Sequence, residues 1–226
     1  MNITRVHQIE ISSRCNLACG YCPHPKLGRP KEDMSWETFN RAVKWAQQLG
    51  GPELSFTGMG EALLHPEFPA MLRYAREELP DVWFLLATNG LCLTARGVDQ
   101  ERVRELVTLL RECRVTVFVS MHRPEVAMPA ARLLRDSGVP VGVNEAFVTS
   151  GFDWAGQVDW HGLPAPKTVC QYIAQGWATV LQDGTIVNCC MDAHGTVPIG
   201  HLNFGELPTR IDPIPLCEHC HLEVPE

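Results

Sequence analysis

Three cysteines close to the N-terminus are the residues of this sequence with the clearest chemistry. Three residues separate Cys15 from Cys19, two separate Cys19 from Cys22, and Tyr21 directly precedes the last cysteine. Three thiolates at this spacing can ligate three irons of a four-iron cluster and leave the fourth iron without a protein ligand. An open coordination position is typical of a catalytic metal rather than a structural one. The spacing therefore predicts a cluster that binds a further ligand and takes part in a reaction.

Disulfides and zinc are the alternatives for closely spaced cysteines. The N-terminal stretch Met1–Glu10 is too polar for a signal peptide, and no segment approaches the ~20 apolar residues of a membrane span. We therefore expect a cytoplasmic protein, in which ten cysteines indicate metal rather than disulfides. Zinc suits the first three cysteines poorly, because the sequence places no fourth ligand nearby.

The bulk composition is that of a globular protein. A length of 226 residues, with 45% hydrophobic and 20% charged residues, allows one large domain or one domain with a small module. The net charge is −7, from 19 basic and 26 acidic residues. A protein that binds nucleic acid through its phosphates needs a basic surface. We therefore expect a small-molecule or peptide substrate rather than nucleic acid, and no membrane.

Apolar runs alternate with amphipathic patterns through the first two thirds of the chain. We predict strands over Gln8–Ile11, Leu54–Phe56, Val82–Ala87, Val115–Val119 and Val139–Val143. We predict helices after Ser35 as N-cap, over Phe68–Leu79, after Asp99, and over Glu125–Asp136. This alternation indicates a parallel sheet with right-handed crossovers. Because the elements are too few for a closed eight-fold barrel, the predicted fold class is α/β, an open, partial parallel barrel.

Polar residues follow the predicted strands at the edge where open parallel sheets carry their chemistry. Gly60 and Glu61 follow the second strand, Asn89 the third, Ser120 the fourth and Asn144 the fifth. A glycine lets the backbone approach a ligand closely, and a carboxylate can accept hydrogen bonds from a ligand ammonium group. The alternatives are a turn that needs Asn89 for its conformation and a strand-terminal cap at Ser120.

His122 lies on the same predicted rim. It could exchange a proton with substrate, or it could be a hydrogen-bonded structural histidine.

The alternation stops after the fifth strand. We predict a larger α/β domain over residues 1–150, a linker over 151–169 that could cover the active site as a loop, and a small module over 170–226. The module is too short and too rich in cysteine for an ordinary core and needs a metal to hold it together. Its predicted hairpin pairs Ala178–Leu181 with Ile186–Cys189.

The C-terminal module carries a second set of cysteines, which comprises Cys170, Cys189, Cys217 and Cys220. Zinc is the alternative metal here, because the Cys-x-x-Cys pair with nearby histidines could form a zinc ribbon. Cys190 directly follows Cys189. If both lie on a strand, their side chains point to opposite faces, and Cys190 is then a packed thiol or a hydrogen-atom donor.

The first cysteine run resembles the motif of the radical S-adenosylmethionine (SAM) superfamily. In that family the open iron of a [4Fe-4S] cluster chelates SAM, and an electron from the cluster cleaves it to a 5′-deoxyadenosyl radical. Gly58-Met59-Gly60-Glu61-Ala62 is similar to the family's Gly-Gly-Glu-Pro motif, with Met59 and Ala62 as departures. The resemblance implies an electron donor such as a flavodoxin or ferredoxin. It also implies a set of SAM-binding residues: Tyr21, Gly60, Glu61, Asn89, Ser120 and Asn144.

The C-terminal cysteines resemble the twitch form of the SPASM extension of this superfamily, in which four cysteines hold an auxiliary [4Fe-4S] cluster. Both halves together are similar to the aminocyclitol-dehydrogenase branch known from butirosin biosynthesis, which oxidises a secondary alcohol to a ketone. This implies dehydrogenation of a small hydroxylated or amino-sugar-like metabolite, with the auxiliary cluster as electron acceptor and His122 as candidate base.

Two other functions stay open on the sequence. The first is cross-linking or epimerisation of a ribosomally made peptide, with Cys190 as the candidate hydrogen-atom donor. The apparent lack of a leader-binding domain before the first strand argues against it. The second is a non-enzymatic zinc-binding module.

Overall fold

The computed structural model describes residues 1–145, 153–159 and 168–225. Its strands are β1 (Arg5–Ile9), β2 (Glu53–Ser55), β3 (Trp83–Thr88), β4 (Val115–Ser120), β5 (Val141–Asn144), β6 (Thr168–Val169), β7 (Trp177–Val180), β8 (Thr185–Val187), β9 (Pro198–His201) and β10 (Leu222–Glu223). Its helices are α1 (Trp36–Leu49), α2 (Phe68–Glu78), α3 (Leu91–Thr94), α4 (Gln100–Glu112), α5 (Pro124–Asp136) and α6 (Gln171–Gln175).

The principal sheet contains eight strands among the described residues, in the order β5-β4-β3-β2-β1-β7-β8-β9. Strands β1 to β5 pair in parallel with their neighbours, and the described strands do not close into a barrel. The predicted partial barrel is therefore confirmed.

The predicted helices form at the expected places because their local signals are strong. The Ser35 side chain accepts a hydrogen bond from the Thr38 amide at the start of α1, and Asp99 accepts two backbone bonds at the start of α4. The apolar faces pack on the sheet, where Phe39 and Phe84 are completely buried. The short helices α3 and α6 have too few residues to give a periodic pattern, and we did not predict them.

The C-terminal hairpin joins the sheet of the N-terminal part. Strand β7 pairs in parallel with β1 and is antiparallel to β8. This contact also explains why β1 begins at Arg5 rather than at Gln8, since Arg5 is paired with Trp177. The Arg5 guanidinium lies 4.0 Å from the centre of the Trp177 ring. Contact with a residue far along the chain therefore buries a charged side chain within the strand. No helix within the described ranges has the length and apolar character needed to span a bilayer.

Candidate active site

A pocket opens at the carboxyl ends of β1 to β4, where the sequence predicts the chemistry. It brings together the three N-terminal cysteines and the predicted residues of the following strands. Its lining includes Cys15, Cys19, Tyr21, Cys22, Gly60, Glu61, Asn89, Ser120, His122 and Trp154. Asn144 is not part of this lining; it ends β5, where its carbonyl accepts a hydrogen bond from the Met121 amide.

The first three cysteines present their sulfurs in a way that suits an iron cluster. The backbone amide of Leu17 donates to the Cys15 sulfur, and that of His24 donates to the Cys22 sulfur. Burial raises the pKa of the Cys22 thiol to about 11, and repulsion from the neighbouring thiolates adds to the effect. Iron would offset this crowding of negative charge, and amide donors to sulfur are a usual feature of cluster ligation. The donor set therefore fits a three-cysteine cluster.

The loop after β2 contains two glycines that its packing requires. A Cβ atom on Gly60 would lie 2.2 Å from the Ser12 carbonyl oxygen, and one on Gly58 would lie 2.2 Å from Cγ of Glu10. The sequence predicts that glycine here lets the backbone approach a ligand. In the structure these glycines let the loop approach the segment that leads from β1 to the cysteines. The loop thereby places Glu61 beside the pocket.

Glu61 is a buried carboxyl group at the pocket wall, with 2% of its surface exposed. Burial raises its pKa from 4.5 to about 7, against the opposing effect of hydrogen bonds from the Asn89 amide, the Thr88 side chain and the Leu63 amide. The Leu63 bond to Oε1 is long, at 3.4 Å. A buried carboxylate in this state favours a cationic partner.

Asn89 connects the cysteine loop to Glu61. Its side-chain amide donates to Asn16 Oδ1 at 2.8 Å and lies 3.9 Å from the Cys15 sulfur, while its backbone amide donates to Glu61 Oε2 at 2.8 Å. Its Oδ1 accepts the Leu91 amide at 2.9 Å. Asn89 is thus both a turn residue and a pocket residue, and the two interpretations left open by the sequence are compatible.

On the opposite rim, Tyr21 and His122 form a pair. The Tyr21 hydroxyl lies 2.7 Å from His122 Nδ1. Burial lowers the pKa of His122, so its ring is neutral at physiological pH. A neutral imidazole in a pocket can accept a proton.

The turn at residues 153–159 links the pocket to the C-terminal module. Trp154 lines the pocket and donates from Nε1 to the Tyr21 carbonyl at 3.1 Å. The Gln157 side chain donates to the carbonyls of Trp154 and Met191, at 2.6 Å each. Trp154 and Ala155 both adopt positive φ angles, a conformation that non-glycine residues keep only when their surroundings impose it. The sequence predicts a linker here that could cover the active site as a loop, and nothing in it singles out Gln157.

The second set of cysteines also receives backbone hydrogen bonds. The Cys217 sulfur accepts the Ile214 amide at 3.5 Å and the Cys220 sulfur accepts the Leu222 amide at 3.4 Å. The Cys189 sulfur accepts two backbone bonds and lies close enough to Cys170 for their charges to interact. These donors suit a cluster with one cysteine per iron. Within the described residues, no group of three or more His, Cys, Asp or Glu side chains is arranged around a single metal ion.

Cys190 has different surroundings from those predicted. Strand β8 ends at Val187, so Cys189 and Cys190 do not alternate along a strand. The Tyr172 hydroxyl donates to the Cys190 sulfur, and charge interactions connect this sulfur to Cys220 and Cys170. Cys190 therefore belongs to the second cysteine group and is not among the residues that line the pocket.

Comparison with known proteins is consistent with this geometry. The model of the "Radical SAM superfamily" matches residues 9–122, which include the three N-terminal cysteines and the loops after β2, β3 and β4. The chain is 28% identical to a PqqA peptide cyclase of Streptomyces rochei over 159 residues, which is 66% of this chain and 42% of that protein. It is 30% identical to a GTP 3′,8-cyclase of Chlorobaculum tepidum over 144 residues, 61% of this chain and 43% of that protein. The chain thus spans about two fifths of the length of these curated relatives.

Among solved structures, the fold resembles that of BtrN in complex with AdoMet and 2-DOIA. The TM-score is 0.69 at 20% identity, and the match covers 90% of this chain and 79% of BtrN. At this identity the likeness concerns the fold alone.

Proposed function

The chain belongs to the radical SAM superfamily, and from this membership we propose a SAM-dependent dehydrogenase. Its substrate would be a small hydroxylated or amino-sugar-like metabolite that loses two electrons and two protons. The observation that carries the proposal is the second cysteine group, which the turn at 153–159 connects to the pocket through Trp154 and Gln157. An oxidation needs an acceptor for the second electron, and this group is suited to provide one.

The chain's own residues have distinct roles in this proposal. Cys15, Cys19 and Cys22 would hold the first cluster, and Glu61 would hold the ammonium group of SAM. Tyr21 and Asn89 border the same pocket. When bound, SAM and the first cluster supply a radical that removes a hydrogen atom from a substrate carbon, and the second cluster supplies an electron acceptor. Gly60, Ser120 and Asn144 are further proposed cofactor-binding positions, with Asn144 the weakest because it does not line the pocket.

The second cluster would be held by the cysteines of the C-terminal module, which are Cys170, Cys189, Cys217 and Cys220. Four cysteine ligands leave no iron open to substrate, so this arrangement favours electron transfer over substrate binding. The hydrogen bond from the Gln157 side chain to the Met191 carbonyl joins the segment that carries Cys189 to the turn that borders the pocket.

His122 is the proposed base for the substrate hydroxyl proton. In the tautomer that carries its proton on Nδ1, His122 donates to the Tyr21 oxygen and leaves Nε2 free to accept a proton. The resulting imidazolium keeps the Tyr21 bond, which stabilises it in place. Trp154, on the same pocket, would limit access of water.

The test is anaerobic turnover with deuterium at the oxidised carbon of candidate amino sugars and cyclitols. We expect deuterium in 5′-deoxyadenosine, one SAM consumed per ketone formed, and about eight irons and eight sulfides per chain. A redox-neutral product with SAM regenerated would refute dehydrogenation. Zinc without acid-labile sulfide would instead support the zinc module.

Peptide modification is the second candidate, supported by the 28% identity to a PqqA peptide cyclase. A cross-linked or epimerised precursor peptide, with no activity on any small alcohol, would favour it. Epimerisation would further require Cys190, so full activity of Cys190→Ala would count against that form of the reaction.

A further inference from the structure

A buried ion pair between Glu10 and Arg29 lies outside the roles assigned so far. Arg29 Nη1 lies 2.6 Å from Glu10 Oε1, and Nη2 donates to Oε2 at 2.9 Å. Only 8% of the arginine side chain and 1% of the glutamate side chain are exposed. Burying two charges costs desolvation free energy that only close, well-aligned bonds recover. Such a pair is therefore weak evidence of added stability, and its contacts show which segments it holds in position.

Glu10 holds the start of the loop that presents Glu61. Its Oε2 accepts a hydrogen bond from the Met59 amide at 2.6 Å. The end of the same loop is fixed by the Glu61 amide, which donates to the Arg14 carbonyl at 2.7 Å. The lack of a side chain at Gly58 makes room for the Glu10 side chain. The position of Glu61 thus depends on a carboxylate at the end of β1.

Arg29 uses its remaining donors on the C-terminal module. Its Nε donates to the Ala193 carbonyl at 2.8 Å, and its Nη1 donates to Gln182 Oε1. Gln182 in turn donates to the Pro30 carbonyl at 3.2 Å. One guanidinium therefore connects the module that carries the second cysteine group with the carboxylate that holds the Met59 amide.

We propose that Glu10 and Arg29 are positioning residues that couple the C-terminal module to the Glu61 loop. The charges support this assignment. Arg29 neutralises Glu10, whereas Glu61 has no cationic side chain among its hydrogen-bond partners. Of the two buried carboxylates, Glu10 at the end of β1 is compensated within the protein, and Glu61 on the loop after β2 is left to receive a cationic ligand. The inference rests on the proposed binding of SAM in this pocket.

The experiment replaces the pair by apolar side chains of similar size, Glu10→Leu with Arg29→Met, in the full chain with its clusters reconstituted. Such a replacement is often neutral for stability. A purely structural pair would then leave SAM binding intact. We expect instead a loss of SAM affinity of about tenfold to a hundredfold, the range typical of residues that orient a binding group. Iron and sulfide content should equal those of the wild type.

The matched control is Glu53→Gln. Glu53, at the start of β2, forms an ion pair with Arg5 at 3.1 Å, and 9% of the arginine side chain and 31% of the glutamate side chain are exposed. It lies outside the residues that line the pocket. We expect less than a twofold change in SAM affinity for this variant, since the described bonds of Glu53 involve neither the Glu61 loop nor Arg29.

Hydrogen exchange provides a readout that does not depend on SAM. Amides of residues 59–61 should exchange at least tenfold faster in the cluster-free double variant and at the wild-type rate in Glu53→Gln. Failure of the wild type to bind SAM would refute the proposed function, and these exchange rates would still decide the positioning role. Unchanged exchange at 59–61, or unchanged SAM affinity in the folded double variant, overturns the inference.

If the double variant does not fold, Arg29→Lys replaces it. A lysine keeps a positive charge beside Glu10 but cannot also donate to the Ala193 carbonyl. We then expect SAM affinity to fall at least threefold, and unchanged affinity would refute the coupling between the module and the loop.

Discussion

Replacing Glu61 by Gln should stabilise the cluster-free protein above neutral pH. The carboxyl is buried, and its pKa is raised from 4.5 to about 7, mainly by desolvation. The folded protein therefore holds this proton more tightly than the unfolded chain does. The contribution of Glu61 to the free energy of unfolding consequently falls as pH rises from about 4.5 to about 7 and stays low at higher pH.

The size of the effect follows from the pKa. A difference of about 2.5 units corresponds to about 3 kcal/mol at ~1.4 kcal/mol per unit. Glutamine avoids this cost because it carries no charge. It still accepts the Asn89 amide, but its NH₂ group cannot accept the long bond from Leu63, which offsets about 1 kcal/mol. We expect a net gain of about 2 kcal/mol at pH 8 and none at pH 4.

The assay is urea unfolding of cluster-free wild type and Glu61→Gln under reducing, anaerobic conditions between pH 4 and pH 8.5. The control is Glu37→Gln, because 75% of the Glu37 side chain is exposed and its removal should give no such dependence. The reasoning would be refuted if the difference in stability between the wild type and Glu61→Gln did not change with pH. It would also be refuted if the wild type were more stable than Glu61→Gln at pH 8. In the reconstituted protein, Glu61→Gln should lose SAM affinity by about tenfold or more, since a charged hydrogen bond contributes about 1.5–3 kcal/mol.

Three further changes test separate parts of the site. Gly60→Ala should destabilise the protein by about 3 kcal/mol or prevent folding, as judged by urea unfolding, whereas Gly20→Ala should be neutral because nothing lies within 4 Å of the added Cβ. Cys220→Ala should lower iron from about eight to about four per chain and retain 5′-deoxyadenosine formation without ketone product; full turnover would contradict the proposed electron acceptor. Trp154→Phe should weaken SAM binding about threefold to tenfold through loss of the bond to the Tyr21 carbonyl. Trp83→Phe, which loses a bond to Thr116 outside the pocket, should leave the affinity unchanged.

Local signals were sufficient for most of the fold. The N-caps Ser35 and Asp99 and the apolar periodicity of the helices that follow them are short-range features. Helices α1 and α4 begin directly after these caps. Strands β1 to β4 each contain buried apolar residues, and such short apolar runs indicate a strand without knowledge of its partners. Strand β5 has no fully buried residue, and its observed bounds are shifted by one or two residues from the predicted ones. The family is evident for the same reason, because the spacing of Cys15, Cys19 and Cys22 is itself the chemical requirement.

Long-range contacts account for what was not predicted. The extension of β1 to Arg5 depends on Trp177, about 170 residues further along the chain. The surroundings of Cys190 depend on where β8 ends and on the position of Tyr172. Hydrophobic periodicity is a local signal, so it cannot predict either of these long-range contacts.

The sequence by itself determined that this protein carries three closely spaced cysteines, suited to a cluster, at the carboxyl edge of a parallel sheet. Ligand type and spacing are local properties, and strands of a parallel sheet necessarily bring their carboxyl ends to one edge. Only the tertiary structure decided how the C-terminal module reaches that edge. The hairpin pairs with β1, Gln157 joins the second cysteine group to the pocket wall, and Arg29 joins the module to Glu10. These bonds form between backbone and side-chain groups that only folding brings within hydrogen-bond distance.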